Sequence, residues 1–282
     1  MTGCFFVSDL HGKVERYRKL FDAIAAEEPR AVFIGGDILP NFGYVDTQDD
    51  FLEDFLFAEL VRLRIDLGET YPSVFIILGN DDGRAVEKSL IEASADGLLS
   101  YMHGRKGLFE RWTVYGYSHS PPSPFLLKDW ERYDVSRFVD PGCVSPEEGM
   151  RTVPISPDEA RFETIARDLE TLAGSDDLEN AVFLFHAPPH KSNLDRAGLD
   201  GRHVDHAPLD VHVGSIAIRR FIETRQPLLT LHGHVHESAR ITGSWRERFG
   251  RTVALSAAHD GPELALVRFD LEDPASAARE LL

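Results

Sequence analysis

Three histidines fall within five residues of the segment LLTLHGHVHE, Leu228 to Glu237: His232, His234 and His236. Neutral imidazole binds divalent transition metals and exchanges protons near neutral pH. His234 and His236 alternate, so an extended backbone points them to one side. Gly233 between them allows a tight turn. The chain offers matching donors elsewhere: Asp9 and His11 in SDLHG, Asp37 in GGD, Asn80 with Asp81 and Asp82 in GNDD, and His186 in FHAPPH. Taken singly these are weak signals, because an Asp after Gly-Gly is commonly a helix cap and an Asn a turn residue. Taken jointly and in order they form a strong pattern. Carboxylate, amide and imidazole without thiolate favour Mn²⁺, Fe²⁺ or Zn²⁺.

Each donor set follows a short apolar run. Cys4–Val7, Ala31–Ile34, Val74–Leu78, Ala181–Phe185 and Leu228–Leu231 read as buried strands that deliver the donors to their C-terminal ends. In α/β sheets ligand sites are built at that edge, so all five sets are expected along one edge of a sheet. Helical spacing of Val14, Tyr17, Leu20, Phe21 and Ile24, and of Phe51 to Leu63, alternates with the first three strands. Such alternation predicts a parallel sheet with right-handed crossovers. A helix is predicted to start at Ser156, with Glu159 at capping-box spacing, Pro157 at the first position and a stripe through Phe162, Ile165, Ala166, Leu169 and Leu172. Another begins at Ile216. Thr252–Leu255 and Leu264–Phe269 read as closing strands, as do Leu98–Tyr101, Gly107–Glu110 and Thr113–Tyr117 in the middle of the chain. Residues from about 100 to 155 are otherwise expected to be an irregular insertion shaping the rim of one domain spanning 1–282.

Composition narrows the classes. At 282 residues, with 43% hydrophobic and 27% charged residues, the chain can bury a sizeable core without staples. A net charge of −17 opposes broad contact with nucleic-acid backbone or anionic lipid. It does not oppose a small anion held by a bound cation. Two distant cysteines, Cys4 and Cys143, exclude a disulfide framework and point to a reducing, cytoplasmic setting. The first residues lack the pattern of a signal peptide, and no run approaches a membrane span. No P-loop, dinucleotide fingerprint or Gly-x-Ser-x-Gly elbow occurs.

The five blocks resemble those of the calcineurin-like metallophosphoesterases: Asp-x-His as DLH (9–11), Gly-Asp as GD (36–37), Gly-Asn-His-Asp/Glu as GNDD (79–82), a lone His186, and Gly-His-x-His as GHVH (233–236). Four of the five match fully. The resemblance implies an α/β fold, a two-sheet β-sandwich flanked by helices. It implies one metal held by Asp9, His11, Asp37 and His236, and a second by Asp37, Asn80, His186 and His234, with Asp37 bridging. Two divalent ions about 3.5–4 Å apart acidify a shared water and clamp phosphoryl oxygens in an in-line displacement. The implied reaction is therefore hydrolysis of a phosphate ester by a metal-bridging hydroxide, with Mn²⁺ expected to serve best in vitro.

The chain departs from the family at Asp81, which stands where the family has a histidine that assists the leaving group. A carboxylate is a poor donor at neutral pH unless its pKa is raised. This tilts the expected substrate to a small, monoanionic phosphodiester, cyclic nucleotides included. A phosphomonoesterase and a non-catalytic metal-binding scaffold or sensor are the rival readings. Asp82 would orient residue 81, and His190 could supply the missing donor. Asn80, His212 and Arg84 are candidates for substrate contact, Arg84 having a surface ion pair as its plain alternative. His232 is a candidate to orient a ligand, His119 to sit on the rim, and His203 and His206 to be solvated. The acidic run from Asp46 to Asp54 reads as a solvated helix start. The expected partner is a small phosphate ester, with neither membrane nor long nucleic acid, and a homo-oligomer is compatible with the sequence.

Overall fold

The structure is a computed structural model that describes residues 3–41 and 50–282. Part of the expected acidic helix start, residues 46–49, thus lies outside the described residues.

The chain opens β1 (Cys4–Val7), α1 (Val14–Glu27), β2 (Ala31–Gly35), α2 (Ala58–Leu67, entered through a π-helical turn at Leu52–Phe57), β3 (Ser73–Ile77) and α3 (Glu87–Ala95). It continues through β4 (Ser100–Tyr101), β5 (Arg105–Phe109) and β6 (Trp112–Tyr117). Then follow α4 (Pro157–Phe162), α5 (Ile165–Ala173), β7 (Ala181–Phe185), β8 (His203–Val204), β9 (Ala207–Pro208), α6 (Ile216–Arg225) and β10 (Leu229–His232). The chain closes with α7 (Ser238–Thr242), β11 (Arg246–Phe249), β12 (Thr252–Ser256), β13 (Ala265–Phe269) and β14 (Ala278–Leu281). Two six-stranded mixed sheets result, ordered β14-β13-β1-β2-β3-β4 and β11-β12-β10-β7-β6-β5. β1 through β4 run parallel, as do β6, β7, β10 and β12.

The apolar runs are continuous because both faces of each sheet are covered. Phe6, Phe33, Phe75, Val182, Leu184, Leu229 and Leu231 fill the space between the sheets. Their neighbours Phe5, Val7, Val32 and Ile34 face the outer helices with Leu20, Ile24, Leu56 and Leu60. On the other side Phe183, Ile165, Leu169, Ile218 and Ile222 pack together. This is the expected helix-flanked two-sheet sandwich.

The strands read at Gly107–Glu110 and Thr113–Tyr117 are β5 and β6, a hairpin that completes the second sheet. Two expectations are corrected. The donor strands do not belong to one sheet: β1, β2 and β3 lie in the first and β7 and β10 in the second, so the donors meet across the sandwich edge. The helix expected from Ser156 is two helices. Ser156 does accept from the Glu159 N–H at 3.0 Å, but Glu163 is extended and Thr164 caps a new start by accepting from the Arg167 N–H. The Ile165 N–H is drawn to the Tyr133 carbonyl at 2.8 Å, which leaves Phe162 exposed.

The loops that follow β2 and β3 are tied by Asp82. Its buried carboxylate accepts the N–H groups of Gly79 at 2.8 Å, Leu39 at 2.9 Å and Ile38 at 3.2 Å. These three hydrogen bonds run to backbone, and among the described residues none joins Asp82 to Asp81; they fix the loops carrying Asp37 and Asn80. Asp82→Ala would strand three buried donors, each costing about 1–3 kcal/mol. The expected loss in denaturant unfolding is about 3 kcal/mol or more, and a loss below about 1 kcal/mol would contradict this role.

Candidate metal centre

Four of the donors stand on left-handed backbone: Asp9 (φ 57°), His11 (φ 48°), Asp37 (φ 50°) and His234 (φ 75°). Such conformations cost roughly 1–3 kcal/mol for a residue with a side chain. Cross-bonds between loops hold them. The Asp9 N–H donates to the Gly36 carbonyl at 3.0 Å and the His11 N–H to the Asp37 carbonyl at 2.8 Å. The His234 N–H donates to Asp9 Oδ1 at 2.9 Å, and the Asp81 N–H to Asp37 Oδ1 at 2.8 Å. Gly233 is needed here because a Cβ would strike Ser8 Oγ and come within 2.7 Å of Asp9 Oδ2. Gly79 is similar, since a Cβ there would collide with Asp37 and lie 2.6 Å from His186 Cε1.

Arg16 was not singled out by the motifs. It is buried under the centre and donates to the Asp9 carbonyl at 2.6 Å. Its signal lay in the sequence: an arginine at a position on the apolar stripe of α1, beside Tyr17 and Leu20.

Two groups of donor atoms converge, each within 4.8 Å: Asp9, His11, Asp37 and His236, and Asp37, His186 and His234. Asp37 is common to both. Asn80 Oδ1 lies 2.9 Å from His186 Nε2 and so joins the second group. These are the two sets that the resemblance implied.

Their chemistry fits cations. His186 Nδ1 lies 2.9 Å from the Gly35 carbonyl and donates to it. A neutral ring then aims its Nε2 lone pair at Asn80 Oδ1 and at Asp37 Oδ2, 3.4 Å away. Lone pair facing oxygen requires a proton or a cation between them. His11 Nε2 and His236 Nε2 stand 3.1 Å apart, and the same argument applies. The buried Asp9 Oδ2 has no hydrogen-bond partner among the described residues. Buried polar atoms rarely lack one.

Electrostatics agree. Burial would lower the His11 pKa, but the carboxylates of Asp81, Asp37 and Asp9 raise it to about 9. Burial likewise opposes, and Asp37 overrides, a rise of His186 to about 9. Burial would lift Asp9, yet His236 holds it down at about 2. Asp37 is held far below the usual carboxylate range by His186 and His11 despite its burial. His234 is lowered by burial to about 4 and stays neutral.

Other candidates lie elsewhere. His212 Nδ1 is 2.8 Å from the buried Asp195, and His190 sits 3.8 Å from the same carboxylate. Among the described residues neither has a hydrogen bond or ion pair to the donor cluster; both belong to the loop network around Asp195. Arg84 pairs with Glu87 at 3.1 Å and stacks over Trp130, the plain alternative named for it. His232 has both ring nitrogens engaged, with the Ala187 carbonyl and Thr230 Oγ1, so it fixes backbone beside His186 and orients no ligand side chain. His119 is buried against His103 and Trp130, beneath the rim and not on it. His203 and His206 are exposed, as expected.

Two mixed sheets packed face to face, with oxygen and nitrogen donors meeting at their common edge, define the architecture of the metallophosphoesterases. Residues 4–238 match the family described as calcineurin-like phosphoesterase, and the chain belongs to that family. Among solved structures the fold is similar to the protein TT1561 of Thermus thermophilus (TM-score 0.56, 15% identity, 100% of this chain and 99% of that one). It is also similar to a dimetal phosphatase from Danio rerio (TM-score 0.54, 13% identity, 95% and 93%). No curated protein matches the chain.

Because His11 and His186 hold protons up to about pH 9 without metal, cations must displace those protons. Loading at pH 7 is expected to release about one proton per metal, and affinity to rise with pH towards 9. Calorimetry in buffers of different ionisation heat measures this; loading without proton release would contradict it.

Proposed function

We propose that this phosphoesterase hydrolyses a small phosphodiester at a two-metal centre. Asp9, His11, Asp37 and His236 would hold one divalent ion, and Asp37, Asn80, His186 and His234 the other. Bound there, the ions would acidify water and neutralise phosphoryl oxygens. Mn²⁺ suits the oxygen and nitrogen donors, with Fe²⁺ or Zn²⁺ as alternatives. The chain's own part is to fix the donors on braced left-handed turns, so that no reorganisation is needed when charge develops.

One observation carries the choice of diester. The Asp81 side chain is 34% exposed beside the donor cluster. A carboxylate there repels a dianionic monoester more than a monoanionic diester, and the net charge of −17 adds to this. The same charge disfavours a long polyanion such as nucleic acid. Among the described residues no helix is long and apolar enough to cross a membrane.

Mn²⁺-dependent turnover of an aryl phosphodiester is expected to exceed that of the matching monoester, and to fall at least about 1,000-fold in Asp37→Ala. Monoester preference would overturn the diester reading. No turnover of either, with two metals bound, would favour a scaffold. At saturating metal, Asp81→His is expected to raise kcat about 10-fold or more by restoring a proton donor; an unchanged kcat would show that residue 81 does not limit leaving-group departure.

A further inference from the structure

Two of the imidazoles whose Nε2 atoms face the donor cluster, His186 and His11, are backed differently. His186 rests its Nδ1 on a neutral carbonyl, that of Gly35, at 2.9 Å. His11 turns its Nε2 to the cluster, 3.1 Å from His236 Nε2 and 4.0 Å from Asp37 Oδ2. Its Nδ1 is buried and lacks a well-formed hydrogen bond. What faces that nitrogen is Asp81 Oδ2, 3.4 Å away. Asp81 is held in place by its own N–H, which donates to Asp37 Oδ1.

We infer that Asp81 is a positioning residue for the first cation, its carboxylate taking the Nδ1–H of His11 and so presenting the Nε2 lone pair to the metal. The inference rests on the two-metal reading above. A shift of a few tenths of an ångström turns 3.4 Å into a charge-assisted hydrogen bond. A carboxylate behind a ligating imidazole fixes its tautomer and strengthens it as a donor, and removing such a partner costs about 10–100-fold in metal affinity. The backing carbonyl of His186 carries no charge, so the two cations would be held unequally. Asp81 thereby gains a role that explains a carboxylate at this position, where proton donation does not.

The test titrates metal-free wild type, Asp81→Ala, Asp81→Asn and Asp81→Glu with Mn²⁺, and follows ¹⁵N-histidine spectra of the Zn²⁺-loaded proteins. In Asp81→Ala one of two affinities is expected to fall about 10-fold or more, the other changing less than about twofold. The wild-type spectrum should show His11 protonated at Nδ1, with that proton exchanging faster in the Ala and Asn variants and slowing again in Glu. Unchanged affinities in wild-type-like Asp81→Ala, or a His11 proton on Nε2, would overturn the inference alone. Should Asp81→Ala fail to fold, the Asn variant and the wild-type tautomer decide. Wild type that binds fewer than two cations would instead overturn the two-metal reading.

Discussion

A dense set of carboxylates and imidazoles, gathered at the edge where two sheets meet, is an unfavourable arrangement that the rest of the fold must hold together. Asp37 is its centre, shared between both donor groups and buried. Two imidazole nitrogens 3.1 Å apart and an unsatisfied Asp9 oxygen are costly in a metal-free interior. Left-handed turns at Asp9, His11, Asp37 and His234 add strain. Such strain persists where surrounding structure over-determines it, and here the surroundings are the hydrogen bonds running from one strand-end loop to the next.

The sandwich supplies the rigidity. Each of the five donor strands is buried on both faces, so register is fixed by packing between the sheets and against helices. Parallel strands bring successive C-terminal ends to one edge, and the pairing of two sheets brings five such ends within reach of a single centre. Asp82 and Arg16, neither of which belongs to the donor groups, stiffen that edge from below: one through three backbone N–H groups, the other through the Asp9 carbonyl.

Much of this was legible in the sequence, for a local reason. A short apolar run followed by a turn and a donor residue is encoded within about ten residues, and five repetitions in order leave few alternatives. The donors Asp9, His11, Asp37, Asn80, His186, His234 and His236 were found this way. What escaped depends on tertiary partners. Asp82 looks like a neighbour of Asp81, but its direction is set by N–H groups from the β2 loop. His190 and His212 share the donor cluster's residue type, yet a buried Asp195 takes them into a separate loop network. The break at Glu163 follows from a hydrogen bond to Tyr133, distant in sequence, and no periodicity could announce it. The division of the donors between two sheets is likewise a matter of strand pairing, which apolar runs do not specify.

The central claim is that these turns hold two cations about one carboxylate. Anomalous diffraction from crystals loaded with Mn²⁺ tests it most directly. The account predicts two peaks, about 3.5–4 Å apart, with Asp37 between them. A single peak, no peak, or peaks away from Asp37 would contradict it.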